Sequence, residues 1–331
     1  MTKAPVGARY SPVGRARGGG SAVPHTDLPV EAAGRSRQGP ARGDLLPFTL
    51  SHAAAVLPAV RTGGTGRAAL VPAALLAGSF APDLTFYAAS VLPEAMEFGD
   101  VTHAFPGVFT VDAVFAWALV GLWLWLREPL VALLPARRQA RVAALLRCGA
   151  PRARVRVPLA ARWYASAVLG SLTHVVWDAF THLDRWGLRI FPVLGEEVAG
   201  FPLYWYLQYG GSAVAAAVVT VFLVRALRRA PASAVAGVPV LSARDRWWAG
   251  VLIVGAAVVA AVERAIGWWA YWGSVAQYWE LLPTVCFGAG AGLLLGLVLY
   301  AAGVRLWRPA PVPGSTGTDG AGREPSRPVA R

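Results

Sequence analysis

Apolar runs separated by short polar connections dominate the chain from residue 45 to 304. Runs at 108–126, 163–180, 211–224, 247–262 and 281–304 contain few or no charged residues, as a membrane crossing requires. A further run, 68–93, is apolar but interrupted by Ala81, Pro82 and Asp83. Proline lacks an N–H and frees carbonyls one turn earlier, so a break is predicted there, of a kind tolerated at membrane depth when it lines a cavity. Residues 45–60 are apolar but shorter than the roughly 20 residues a full span needs. The pattern predicts an all-α integral membrane protein with six full transmembrane helices plus a short N-terminal membrane-inserted helix. The flanking segments, 1–45 and 305–331, are rich in Gly, Pro and Arg without apolar periodicity and are expected to be disordered.

Composition supports the membrane class: 56% of the 331 residues are hydrophobic, only 15% are charged, and mean hydropathy is +0.47. The net charge of +13 does not indicate nucleic acid, because the arginines lie between apolar runs rather than interleaved with aromatics in a soluble module. They read instead as cytoplasmic loops. Nine Arg fall in 127–162, five in 225–246 and none in 91–107, which places 61–67, 127–162, 225–246 and the C-terminal tail inside and leaves 94–106, 183–208 and 263–280 outside. Localisation in the cell membrane and contact with the lipid bilayer follow. The seven Lys or Arg of 1–45 conflict with this topology if 45–60 crosses fully. Either that helix is re-entrant or the tail comes from a start chosen too far upstream. Cys148 and Cys286 are too few for a disulfide framework or thiolate site and are expected to be inert.

Candidate chemistry centres on 170–182, GSLTHVVWDAFTH, where His174, Asp178 and His182 succeed one another at i, i+4. Ionisable residues in an apolar helix are costly and point to function. His174 and Asp178 suit one metal ion. The eight-residue reach to His182, roughly 12 Å of helix axis, leaves that residue for a second ion, a substrate or a supporting role. Once the arginines fix topology, Asp83 and His103 arrive at the same outer depth, and His52 joins them if 45–60 crosses from outside to inside. Glu94, Glu97, Asp100 and Asp112 read as solvated or interfacial acids, and Tyr204, Tyr206 and Gln208 fall where a pocket mouth would close.

The segments PFTLSHAAAV (47–56), LVPAALLAGSFAPDL (70–84), THAFPG (102–107), LGSLTHVVWDAFTH (169–182) and LYWYLQYGGS (203–212) resemble a bacterial membrane-protein family known as domain of unknown function four-one-eight-four. The likeness covers 46–303, and that family typically starts at the PFT segment. More distantly, the order of a leading His, Pro-Asp, Thr-His and Gly-x-x-x-His-x-x-x-Asp resembles membrane-bound metal-dependent hydrolases. That resemblance implies a metal set of His52, Asp83, His103, His174 and Asp178. Of these, Asp83 and Asp178 are the candidate catalytic carboxylates, and His182 and Gln208 are candidates for a supporting role behind the ligands. The chain departs from the pattern in having Pro-Asp-Leu and no Arg shortly before Thr102. Two functions fit. One is a zinc-dependent hydrolase acting on an ester or phosphoester, lipid-linked given the location, from the outer side. The other is a non-catalytic membrane protein with a structural metal, or an ion- or proton-coupled transporter.

Overall fold

The computed structural model describes residues 49–147, 157–183, 185–231, 237–273, 278 and 281–308. The tail 1–45 with His25, the segment 309–331 and Cys148 lie outside the described residues, and Cys286 is an exposed free thiol. A 3-10 turn at Thr49–His52 leads into short helices α1 (Ala53–Val56), α2 (Pro72–Gly78), α3 (Leu84–Ala88), α4 (Gly99–Thr102) and α5 (Phe105–Phe109). Then come α6 (Val111–Ala132), α7 (Ala136–Arg147), α8 (Val157–Thr181), α9 (Trp186–Ile190), α10 (Leu203–Arg229), α11 (Ala243–Trp272) and α12 (Leu281–Trp307). The strands β1 (Glu197–Val198) and β2 (Phe201–Pro202) form an antiparallel hairpin, turned by Ala199 at φ 52° and Gly200 at φ 87°. Two successive left-handed residues match the right-handed twist of a two-residue hairpin.

Among the described residues four helices, α6, α10, α11 and α12, are long and apolar enough to cross a bilayer and are candidate spans of a multi-pass membrane protein. They coincide with four of the six expected crossings. The other two differ for physical reasons. Residues 68–93 do not form one helix: Pro72 opens α2, the chain leaves it at Ser79, and Pro82 starts a new 3-10 turn at Ala81–Asp83 before α3. Helix α8 has the length, 25 residues, but Arg162, Ser166, Ser171, Thr173, His174 and Asp178 are spread along it and leave no apolar stretch as long as those of the four. Its buried residues include Ala167, Gly170, Ser171, His174 and Asp178, a three-four spacing that defines one inward face.

Small residues set how closely the long helices approach. On α12, Gly288, Gly292 and Gly296 lie against Ala260, Ala256 and Ile253 of α11; a Cβ on Gly292 would stand 2.2 Å from the Ala256 carbonyl oxygen. This is the small-residue packing that membrane helices use where no hydrophobic force distinguishes helix from lipid. Helix α6 runs through Pro129, whose missing N–H leaves the Trp125 carbonyl without its helical donor. Arg305 of α12 supplies that donor through Nη2 and lies over the Trp125 ring, 4.5 Å from its centroid. Tyr300 Oη donates to Pro129 O at 2.8 Å. The α12 helix extends through Trp307, three residues into the expected tail.

Candidate metal centre

The centre begins with a close crossing of α2 and α8. A Cβ on Gly170 would fall 2.2 Å from Leu75 O, and one on Gly78 2.2 Å from Ala167 O, so the two backbones touch. Ser171 Oγ donates to Gly78 O at 3.1 Å and Val71 N–H to Ser166 Oγ at 2.9 Å. One consequence is that Ser79 O, left over at the end of α2, lies 2.8 Å from His174 Nδ1. Just beyond, Pro82 and Asp83 turn inward. Thr102 Oγ1 donates to Pro82 O at 2.8 Å, which fastens the end of α4 to this break and brings His103 alongside.

Four side chains then converge. His174 Nε2 lies 3.3 Å from Asp83 Oδ1 and 3.2 Å from Asp178 Oδ2; His103 Nε2 lies 3.6 Å and 3.5 Å from the same two oxygens. All four donor atoms fall within 4.8 Å of one another, a group that could hold a metal ion. The residues are 0% to 7% exposed, and none of these four atoms has a hydrogen-bond partner. Unpaired buried polar atoms are rare because each forfeits its hydration without replacement. The outer nitrogens are satisfied: His103 Nδ1 meets Gly99 O at 2.9 Å and His174 Nδ1 meets Ser79 O at 2.8 Å. A proton on Nδ1, donated to a carbonyl, leaves the Nε2 lone pair facing inward, the orientation a metal-ligating histidine requires. Burial opposes protonation of His103, yet the facing Asp178 and Asp83 carboxylates outweigh it and hold its pKa above the ordinary histidine value.

The family described as Domain of unknown function (DUF4184) matches residues 46–302. The chain belongs to the DUF4184 family. No curated protein and no solved structure matches it. The matched region contains all four convergent residues, together with the other histidines and the glutamine around them.

In this DUF4184 chain His52 stands beside the four rather than among them. Its ring stacks on His174 with centroids 3.8 Å apart and planes 18° apart, and its Nε2 faces Asp178 Oδ1 at 3.5 Å. His182 stands at the edge of the centre, its Nδ1 3.8 Å from Asp178 Oδ2, with other contacts on both nitrogens. Nδ1 meets Asp178 O at 3.1 Å and Nε2 meets Gln208 Nε2 at 3.3 Å, with Gln208 itself fully buried on α10. Both residues therefore steady the helix that carries Asp178. Tyr206 Oη donates to Val198 O at 2.7 Å and belongs to the hairpin, not to the centre. A cavity of about 470 Å³ lined by Phe201, Trp205, Tyr206, Tyr209, Gly210, Tyr278 and Leu282 includes none of the four residues. Glu94, Glu97 and Asp100 are exposed, as expected of solvated acids. Asp112 is not: it is 0% exposed with both carboxylate oxygens unpartnered, because its side of α6 packs inward, where Ala113 and Ala116 meet Ala77 and Ala167.

Thr49, Ser79 and Thr102 were not singled out by sequence reasoning. Thr49 Oγ1 donates to Asp83 Oδ2 at 2.5 Å and so turns Oδ1 toward the centre. Thr49 and Thr102 each stand within a segment that carries a histidine, a proximity that could have marked them.

Proposed function

We propose that this DUF4184 chain is a membrane-embedded zinc-dependent hydrolase that acts on an ester or phosphoester, lipid-linked, from the outer side of the membrane. One observation carries the metal: four unpartnered donors spaced 3.2, 3.3, 3.5 and 3.6 Å along the imidazole-to-carboxylate edges. Donors about 2.0–2.2 Å from one zinc at the corners of a tetrahedron stand about 3.3–3.6 Å apart. Two imidazoles and two carboxylates are also a donor set that zinc accepts, and two buried negative charges call for a cation. Asp83, His103, His174 and Asp178 would hold the ion. A catalytic ion would need a fifth position for water beside these four donors, and its chemistry there would be Lewis-acid activation of that water and of the scissile ester. The chain supplies the rest: Asp83 and Asp178 act as carboxylate proton acceptors, Thr49 orients Asp83, and the Ser79 and Gly99 carbonyls fix the two rings.

Burial favours a second reading, in which the same ion is structural and ties the Pro82 break, the end of α4 and α8 together, since structural zinc sites are closed by protein ligands. Zinc analysis of detergent-purified protein separates metal binding from its absence. Wild type should retain zinc after dialysis, while His174→Ala, lacking one of four ligands, should lose most of it. Equal zinc in both would sink the centre. Hydrolysis of bis(p-nitrophenyl) phosphate by wild type and not by His174→Ala supports the hydrolase. Zinc retention with no turnover of this probe or of a phospholipid vesicle selects the structural reading.

The reading includes six crossings, counting α8 and the broken α2–α3 segment, with the basic connections and C-terminus cytoplasmic. In a background lacking Cys148 and Cys286, Asp100→Cys should react with a membrane-impermeant thiol reagent in intact cells and Arg141→Cys should not. Both positions are exposed, so the opposite pattern would invert the topology and carry the centre to the cytoplasmic side.

A further inference from the structure

We propose that Asp178 bridges two cations, and that His52 Nε2 and Asp178 Oδ1 are the protein donors of a second divalent-ion site beside the four-ligand centre. This rests on the metal-centre reading above and extends it. The stacking of His52 on His174 sets two imidazoles nearly parallel, 3.8 Å between centroids and 18° between planes. Each then faces a different oxygen of one carboxylate: His174 Nε2 to Oδ2 at 3.2 Å, His52 Nε2 to Oδ1 at 3.5 Å. The second pair repeats the first. Both of its atoms lack hydrogen-bond partners, and the side chains are 1% and 3% exposed.

A single ion does not account for this pair. Asp178 Oδ2 is already shared by His103 and His174, and the mutually close set of donors does not include His52. A direct imidazole–carboxylate hydrogen bond is not made either, since neither atom has a partner. The separation between His52 Nε2 and Asp178 Oδ1 again matches the roughly 3.3–3.6 Å edge expected of two donors on one zinc. The His52 segment is held from the other side by Ser51 Oγ, 3.4 Å from Ser212 Oγ of α10. Two protein donors leave most of a coordination shell to water or substrate oxygen. A carboxylate-bridged pair of ions about 3.5–4 Å apart is suited to clamping the oxygens of a phosphoester. Between the two substrate classes of the proposed function, a second ion would favour the phosphoester. With Asp178 spread over both ions, proton acceptance falls to Asp83.

The test is zinc titration of chelator-stripped full-length protein in detergent, counting bound equivalents, with Mn²⁺ spectroscopy as a second readout. Wild type should take up two equivalents, and His52→Ala one, its retained equivalent showing that the four-ligand centre and the fold survive. His103→Ala should weaken the first equivalent instead. Mn²⁺-loaded wild type should show a spin-coupled pair, and His52→Ala an isolated ion. One equivalent in both wild type and His52→Ala, or two in both, overturns the second site while leaving the four-ligand centre standing. No uptake by wild type defeats the centre and the second site together.

Discussion

Asp178→Asn is expected to abolish zinc retention and, with it, the stabilisation that zinc confers on wild type. Asn preserves shape but removes the charge from a residue whose two oxygens face His174, His103 and His52 and have no hydrogen-bond partners. Loss of affinity should exceed the roughly 100-fold that removal of a group merely supporting a ligand costs. Without metal the variant should also be the less stable protein, because the Asp178 carboxylate faces His103, whose protonated form it favours, and breaking a buried pair costs about 3–5 kcal/mol. With metal the gap should widen, since only wild type gains the free energy of binding the ion. Thermal unfolding of both proteins, with and without chelator, reads this difference: zinc should raise the melting temperature of wild type and leave that of Asp178→Asn unchanged. An equal zinc-dependent shift in both would sink the metal reading.

Gly170→Leu should be as damaging without touching a ligand. The first added atom would lie 2.2 Å from Leu75 O and 2.8 Å from Ser79 N, both backbone, so α2 must move away from α8. Overpacking of this kind costs about 1–3 kcal/mol and sometimes more. It should also draw Ser79 O away from His174 Nδ1, with a further loss of about 10–100-fold in metal affinity. Gly121→Leu on α6 is the matched control: nothing lies within 4 Å of its added Cβ, and leucine favours the helix. Near-normal yield, melting temperature and zinc content for Gly170→Leu would mean that the close approach does not position the site.

Periodicity alone made His174 and Asp178 legible, because i, i+4 spacing fixes a shared helix face whatever surrounds it. Asp83 and His103 required topology and a family resemblance, since tertiary contacts such as Thr102 with Pro82 have no local signature. Residues 68–93 showed their Pro82 break, but hydropathy does not separate a kinked crossing from the short pieces that Pro72 and Ser79 produce. Asp112 was hidden for the same reason. Its burial is decided by the small residues of α2 and α8 that α6 meets, and a carboxylate in the first turn of a helix reads equally well as solvated. His182 was legible as polar and inward, but its partner Gln208 lies on another helix.

The broken α2–α3 segment has a consequence for biogenesis. The Pro82 turn commits Asp83 to the interior, yet 95 positions separate Asp83 from Asp178, and His174 arrives only four residues before Asp178. At roughly 5–20 residues per second, translation leaves Asp83 waiting about 5–19 s for α8. Through that interval Thr49 and His103 are the partners already made. A ribosome paused within α8 thus holds a half-built centre.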